Sequence, residues 1–318
     1  MARQERGRFD LWRDISGIDM EKARELAARI ELRGQAEDEV AARAAYLDLL
    51  RIGPGQRVLE IGCGSGVVLR DLARRVAPDG VAVGLDYCPA LLDLARELAD
   101  KTGLLDRIEL REGDARALPF GDAEFDAVLA VTALEHVPDG ERAIPEMARV
   151  VRPGGRAAAF ERDVDSLIVS HPDRILTRRI VAAYSDHASV DGWLARRLPG
   201  LLMAAGLRDV RVRAFTPVER GTGGFYGGLA ERAAQIAAET GAISQRERRS
   251  WLRALYAEEE AGRFVGGMTH LFVWGIRALV MFEAEHAEAV AAEPVVLAEE
   301  RVVTAVGVPL EQRGTRPI

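Results

Sequence analysis

Apolar positions recur at helical spacing from 19 to 33, where Leu26 and Ile30 share a face, and again from 37 to 50 through Val40, Ala44 and Leu47. The segment IGPG at 52–55 ends the second helix. Beyond it the pattern changes to short apolar runs separated by helical stretches. Val58, Leu59 and Ile61 suit a strand buried on both faces. A helix is expected from about Val67 to Val76, a strand at 81–86, a helix at 90–100 and a strand at 107–111. The strand AEFDAVLAV (123–131), a helix over about 140–151 and the strand GGRAAAFE (154–161) continue the alternation. Strand and helix in turn predict an α/β fold on a parallel sheet. Pro145 would cost ~3 kcal/mol in a helix interior, so it is expected near the start of its helix.

Residues 163–190 read as a polar helical insertion, and 191–206 as another helix, closed by Gly206 before the strand LRDVRVRAF (207–215). Two more helices are expected at about 226–240 and 244–260; the charge run from Gln245 to Arg253 reads as a solvated face. RGTGGFYGGLA (220–230) is glycine-rich enough to serve as a lid hinge.

The strand at 58–61 runs straight into Gly62-x-Gly64-x-Gly66. Glycines there allow positive φ and remove the Cβ atoms that would block a nucleotide-like ligand at the carboxyl end of a strand. Roughly 20 residues on, VAVGLD ends in Asp86, where doubly wound folds hold an acid for ribose hydroxyls. The dinucleotide pattern wants its third glycine at position 67, which is Val67, and Glu60 would repel a pyrophosphate. A ligand with an ammonium and a sulfonium suits Glu60 better, because charge-assisted hydrogen bonds are the strong ones. Alone, Asp86 would read as a helix cap and Asp114 as a turn residue.

Four stretches in order carry a resemblance: VLEIGCGSG (58–66), VGLDYCPALLDLAR (83–96), EGDARALPFGDAEFDAVLAVTALEHVPD (112–139) and RVVRPGGRAAAFE (149–161). Over residues 37–215 the chain resembles the class I S-adenosylmethionine-dependent methyltransferases, in particular the small-molecule branch similar to the ubiquinone/menaquinone C-methyltransferases. The resemblance implies a doubly wound, mostly parallel seven-stranded sheet, with a last strand at about 268–278 antiparallel to the rest. It implies S-adenosyl-L-methionine as cofactor, with the backbone around Gly62, Gly64 and Ser65 packed on it, Asp86 on both ribose hydroxyls and Tyr87 beside the adenine. Asp114 and Ala115 would read the adenine edge, and Val131 and Thr132 would close over the methionine part.

Methyl transfer is an in-line displacement that needs a positioned acceptor, a dry site and, for a hydroxyl or activated carbon, a base. That base is expected at the carboxyl ends of the fourth and fifth strands, where Glu161 is the first choice and His136 the second; in resembling enzymes such residues help remove the substrate proton. Their ordinary alternatives are a helix-start hydrogen bond for His136 and an ion pair for Glu161. Phe9, Trp12, Phe225 and Tyr226 are candidates for an apolar pocket. The acceptor is expected to be a small secondary metabolite or lipid-like molecule methylated on O, C or N. The alternatives are a fold that keeps the cofactor for rearrangement or partner binding, and an NAD(P)-dependent oxidoreductase.

A net charge of −7 and a pI of about 5.5 give no electrostatic footprint for nucleic acid or anionic membrane. The start of the chain lacks an apolar signal core and no apolar run reaches a membrane-spanning length, which reads as cytoplasmic. Cys63 and Cys88 are expected to stay free thiols, and the scattered histidines show no metal-ligand spacing. The expected organisation is a helical cap at 1–50 and a methyltransferase domain at 51–282. The domain carries helical lids at about 163–206 and 222–262, and an extension of unknown role follows at 283–318.

Overall fold

Glycine turns at both ends of a short apolar strand set the centre of the molecule, and a computed structural model describes residues 7–279 around it. In chain order, α1 (Met20–Gln35) and α2 (Glu37–Leu49) precede β1 (Arg57–Ile61), α3 (Val67–Val76), β2 (Val81–Asp86), α4 (Pro89–Lys101) and β3 (Ile108–Glu112). Then come β4 (Phe125–Val131), α5 (Ala143–Val150), β5 (Val151–Arg162), a two-residue β6 (Ile168–Val169), α6 (Arg174–His187) and α7 (Leu194–Ala204). The described chain closes with β7 (Leu207–Phe215), β8 (Val218–Glu219), α8 (Phe225–Glu239), α9 (Gln245–Glu260), β9 (Gly266–Gly267) and β10 (His270–Arg277). The expected extension at 283–318 lies outside the described residues.

The seven-stranded sheet has the order β3-β2-β1-β4-β5-β10-β7. Strands β1 to β5 pair in parallel, and β10 runs antiparallel between β5 and β7, as expected. The order reverses between β1 and β4, so the crevice of a doubly wound sheet opens above the carboxyl ends of these two strands. Alternation along β1 explains its composition: Leu59 and Ile61 pack with Leu85, Val128 and Ile144, while Val58 packs with Leu72, Leu129 and Phe160 on the other side.

Pro145 is the third residue of α5, where its missing N–H is harmless. The capping box of Ser244 and Glu247 starts α9, which buries only Trp251 and Leu255 and leaves its charge run to solvent. The helix at 194–204 differs from expectation. Leu194, Leu198 and Leu202 of α7 share a cluster with Val273 of the sheet, so α7 flanks the sheet and the insertion ends before it. The insertion has its own core, in which Ile180 and Tyr184 of α6, Ala230 and Ala233 of α8, and Trp251 of α9 are buried together. The glycine-rich segment also differs. From Phe225 it is already helix, and a Cβ on Gly227 would stand 2.0 Å from the Thr222 carbonyl oxygen, so close packing calls for that glycine.

Candidate cofactor and acceptor site

Positive-φ glycines and their backbone amides shape the turn after β1. Gly62, Gly64 and Gly66 hold φ of +70°, +53° and +82°. The N–H groups of Gly62 and Cys63 donate to the Leu85 carbonyl at 2.7 and 3.0 Å, tying the turn to β2. The Gly64 N–H donates to Asp86 Oδ2 at 2.8 Å, and the Cys88 N–H to Asp86 Oδ1 at 2.9 Å. Asp86 therefore fixes both rims at once. Cys63 and Cys88 are both free and buried.

A cavity of about 360 Å³ opens over this turn. Every expected cofactor residue except Ser65 lines it: Glu60, Gly62, Gly64, Asp86, Tyr87, Asp114, Ala115, Val131 and Thr132 are on the wall. The Ser65 hydroxyl points away and donates to Glu31 at 2.7 Å, while Arg70 bonds both Glu31 and the Ser65 carbonyl, locking the turn from behind. Asp114 differs from expectation as well, since the Arg116 side chain takes both of its oxygens at 2.7–3.1 Å and holds the carboxyl below its usual range. Any contact to an adenine edge must share that carboxylate. Thr132, at φ +47°, accepts from Arg33 at 2.9 Å, which brings a cation from α1 to the end of β4.

Glu60 is a buried carboxyl on the cavity wall with an unpartnered oxygen. Burial first, then the charge of Asp86, pushes its carboxyl well above the ordinary value, and its Oε2 has no hydrogen bond among the described residues. Burial likewise raises Asp86 against the stabilising N–H groups of Cys88 and Gly64. Two desolvated carboxyls facing one cavity complement a ligand that offers cationic and hydroxyl groups. S-adenosylmethionine has an ammonium, a sulfonium and two ribose hydroxyls, so the residues present fit it.

The expected catalytic pair separates. Alternation at the end of β5 brings Arg162 to the cavity wall and turns Glu161 away from it. The buried Glu161 Oε1 accepts from the N–H groups of Ala133 and Leu134 at 3.2 and 3.0 Å, and Oε2 has no partner among the described residues. Burial, then repulsion from Glu135, pushes Glu161 up to about 8. It anchors the turn after β4 and does not line the cavity, which corrects its choice as the base.

His136 does line the cavity, within a buried network that sequence reasoning missed. Its Nδ1 lies 2.8 Å from Asp10, whose carboxylate also accepts from the N–H groups of Trp12 and Val190. Its Nε2 lies 3.0 Å from the Arg162 guanidinium and 3.2 Å from Glu135, which is itself bound by Arg162. Burial alone would lower His136, yet Asp10 and Glu135 hold it up at about 9. Against burial, Arg162 and His136 keep Glu135 at about 2. Asp10 lies 126 positions from His136 in the chain, and nothing in the local pattern at 7–14 marks it out. Of the four candidate aromatics, Trp12 and Phe225 line the cavity, whereas Phe9 packs on the insertion core and Tyr226 is buried with its hydroxyl toward Glu39 at 3.3 Å.

The methyltransferase domain family matches residues 59–159. A demethylmenaquinone methyltransferase of Bacillus cytotoxicus is 30% identical over 194 residues, which span 55% of this chain and 80% of that protein. An uncharacterized 37.1 kDa protein in transposon TN4556 of Streptomyces fradiae is 34% identical over 178 residues; the match spans 56% of this chain and about half, 51%, of that relative's length. Among solved structures, the YcgJ protein of Bacillus subtilis shares the fold with a TM-score of 0.53 at 18% identity, over 75% of this chain and 98% of that one. The chain belongs to the class I S-adenosylmethionine-dependent methyltransferases, an enzyme family whose cofactor is S-adenosylmethionine.

Among the described residues no helix is long and apolar enough to cross a membrane, and no group of three or more His, Cys, Asp or Glu could hold a metal ion.

Proposed function

We propose that this chain methylates an O, C or N atom of a small secondary-metabolite or lipid-like acceptor in the cytoplasm, using S-adenosylmethionine. The observation that carries this reading is the pair of buried carboxyls, Glu60 and Asp86, on one cavity above the β1 and β2 ends. Asp86 would hold the ribose, Tyr87, Asp114 and Ala115 the adenine, and Glu60 with Val131 and Thr132 the methionine part. Arg33, already on Thr132, is placed to meet that part's carboxylate. When bound, the cofactor supplies an electrophilic methyl group.

The remaining work falls to the chain. Trp12, Phe225 and Leu229 line the same cavity and keep water from the acceptor. The insertion helices α6, α8 and α9, with α1 and the segment before it, serve as its lid. His136, tied to Asp10 through Nδ1 and to Arg162 and Glu135 at Nε2, orients the wall. Glu161 acts through the backbone of Ala133 and Leu134 as a positioning residue. Much of the rate enhancement then comes from orientation and water exclusion.

Incubation with methyl-labelled cofactor and a metabolite extract tests the proposal. Label should move to a small molecule with equal release of S-adenosylhomocysteine. Tight cofactor binding with no transfer would favour the rearrangement alternative instead.

A further inference from the structure

On the premise that the cavity is a methyl-transfer site, we infer that its acceptor end is an anion subsite, selecting an apolar acceptor that carries a negatively charged group such as a carboxylate. Phe225, Leu229 and Arg232 lie at i, i+4 and i+7 on α8 and all line the cavity. Two apolar side chains thus lead to a cation on one helix face. Trp12 and Ile15 extend the apolar wall, and Arg29 of α1 stands at its exposed rim.

Arg232 is half-buried and makes no direct ion pair among the described residues; Asp10 and Glu239 act on it only at longer range, and Arg29 opposes them. Among the described residues its guanidinium has no carboxylate partner, and its hydrogen bond goes to the Phe9 carbonyl. The acids on the same wall are committed elsewhere: Glu39 to Tyr226 and Arg33, Asp114 to Arg116, Glu60 and Asp86 to the cofactor end. Asp14 is exposed at the mouth. A wholly neutral acceptor would bury Arg232 further with only the longer-range charges of Asp10 and Glu239 to balance it, a costly arrangement for an ion. A carboxylate would take the planar guanidinium in two parallel hydrogen bonds.

Octanoate and octanamide differ in charge at one end and share the apolar chain, so they serve as probes. Both are titrated by calorimetry at pH 8 into the full chain saturated with S-adenosylhomocysteine. Octanoate should bind at least tenfold more tightly. Arg232→Met should erase that preference and leave S-adenosylhomocysteine affinity unchanged, while Arg232→Lys should keep most of it. Equal affinities for the two probes, or an intact preference in Arg232→Met, would overturn the inference. The two probes on the unaltered chain decide the matter even where a variant folds poorly. If S-adenosylhomocysteine does not bind yet octanoate is still preferred, the methyl-transfer reading falls and the anion subsite stands. If it binds and the preference is missing, only the subsite falls.

Discussion

Asp10→Asn removes one charge from the buried network and leaves a side chain that can still accept from His136 Nδ1–H. His136 rises from 6.5 to about 9 in the folded chain, with Asp10 the foremost cause of the rise and Glu135 the next. At about 1.4 kcal/mol for each tenfold change in proton affinity, that rise corresponds to roughly 3 kcal/mol of pH-dependent stability, with Asp10 the larger of the two favourable causes. The sign follows from a raised folded value. The contribution is fully present below pH 6.5 and is lost as pH climbs through about 9. Asp10→Asn should therefore cost a few kcal/mol near pH 6, and the gap to the unaltered chain should narrow toward pH 10 to the pH-independent cost of the backbone N–H that loses its carboxylate oxygen. Urea denaturation across that range measures the gap, and NMR titration of the His136 ring reads its ionisation directly. A ring that titrates at or below 6.5 in the unaltered chain, or a gap that ignores pH, would refute the reasoning.

Asp86→Ala should weaken S-adenosylhomocysteine binding about tenfold or more in a calorimetric titration, because it removes a buried carboxylate and frees the Gly64 and Cys88 amides. Gly62→Ala would put a Cβ 2.4 Å from the Ala133 Cβ at φ +70°; a loss of about 1–3 kcal/mol by thermal melting is expected, with weaker cofactor binding. Glu161→Gln keeps an oxygen for the Ala133 and Leu134 amides and should leave turnover within about threefold, whereas loss of a true base would cost about 10²–10⁴. The same side chain gives a pH signature. Its stability contribution is whole below pH 4.5 and drains as pH rises through about 8, a slope that Glu161→Gln should abolish.

Local chemistry made much of this protein readable from the chain alone. The apolar run at 58–61, the glycines behind it and Asp86 specify a strand, a turn and an acid by residue type and short spacing. The structure sets Asp86 against the Gly64 amide across β1 and β2, as that spacing implies. Helix α3 falls at Val67–Val76 and strand β7 at Leu207–Phe215, because periodicity and flanking glycines are local signals. The acceptor side is another matter. Asp10 meets His136 from 126 positions away, and Arg232 meets the Phe9 carbonyl from 223. Neither pairing leaves a periodic trace in the sequence. Whether Glu161 or Arg162 faces the cavity turned on the alternation of a single strand, which a one-residue change of register would invert. Backbone propensity and spacing determined the sheet and its cofactor rim; long-range packing, which alone brings distant charges together out of water, decided the ionisation and the shape of the acceptor end.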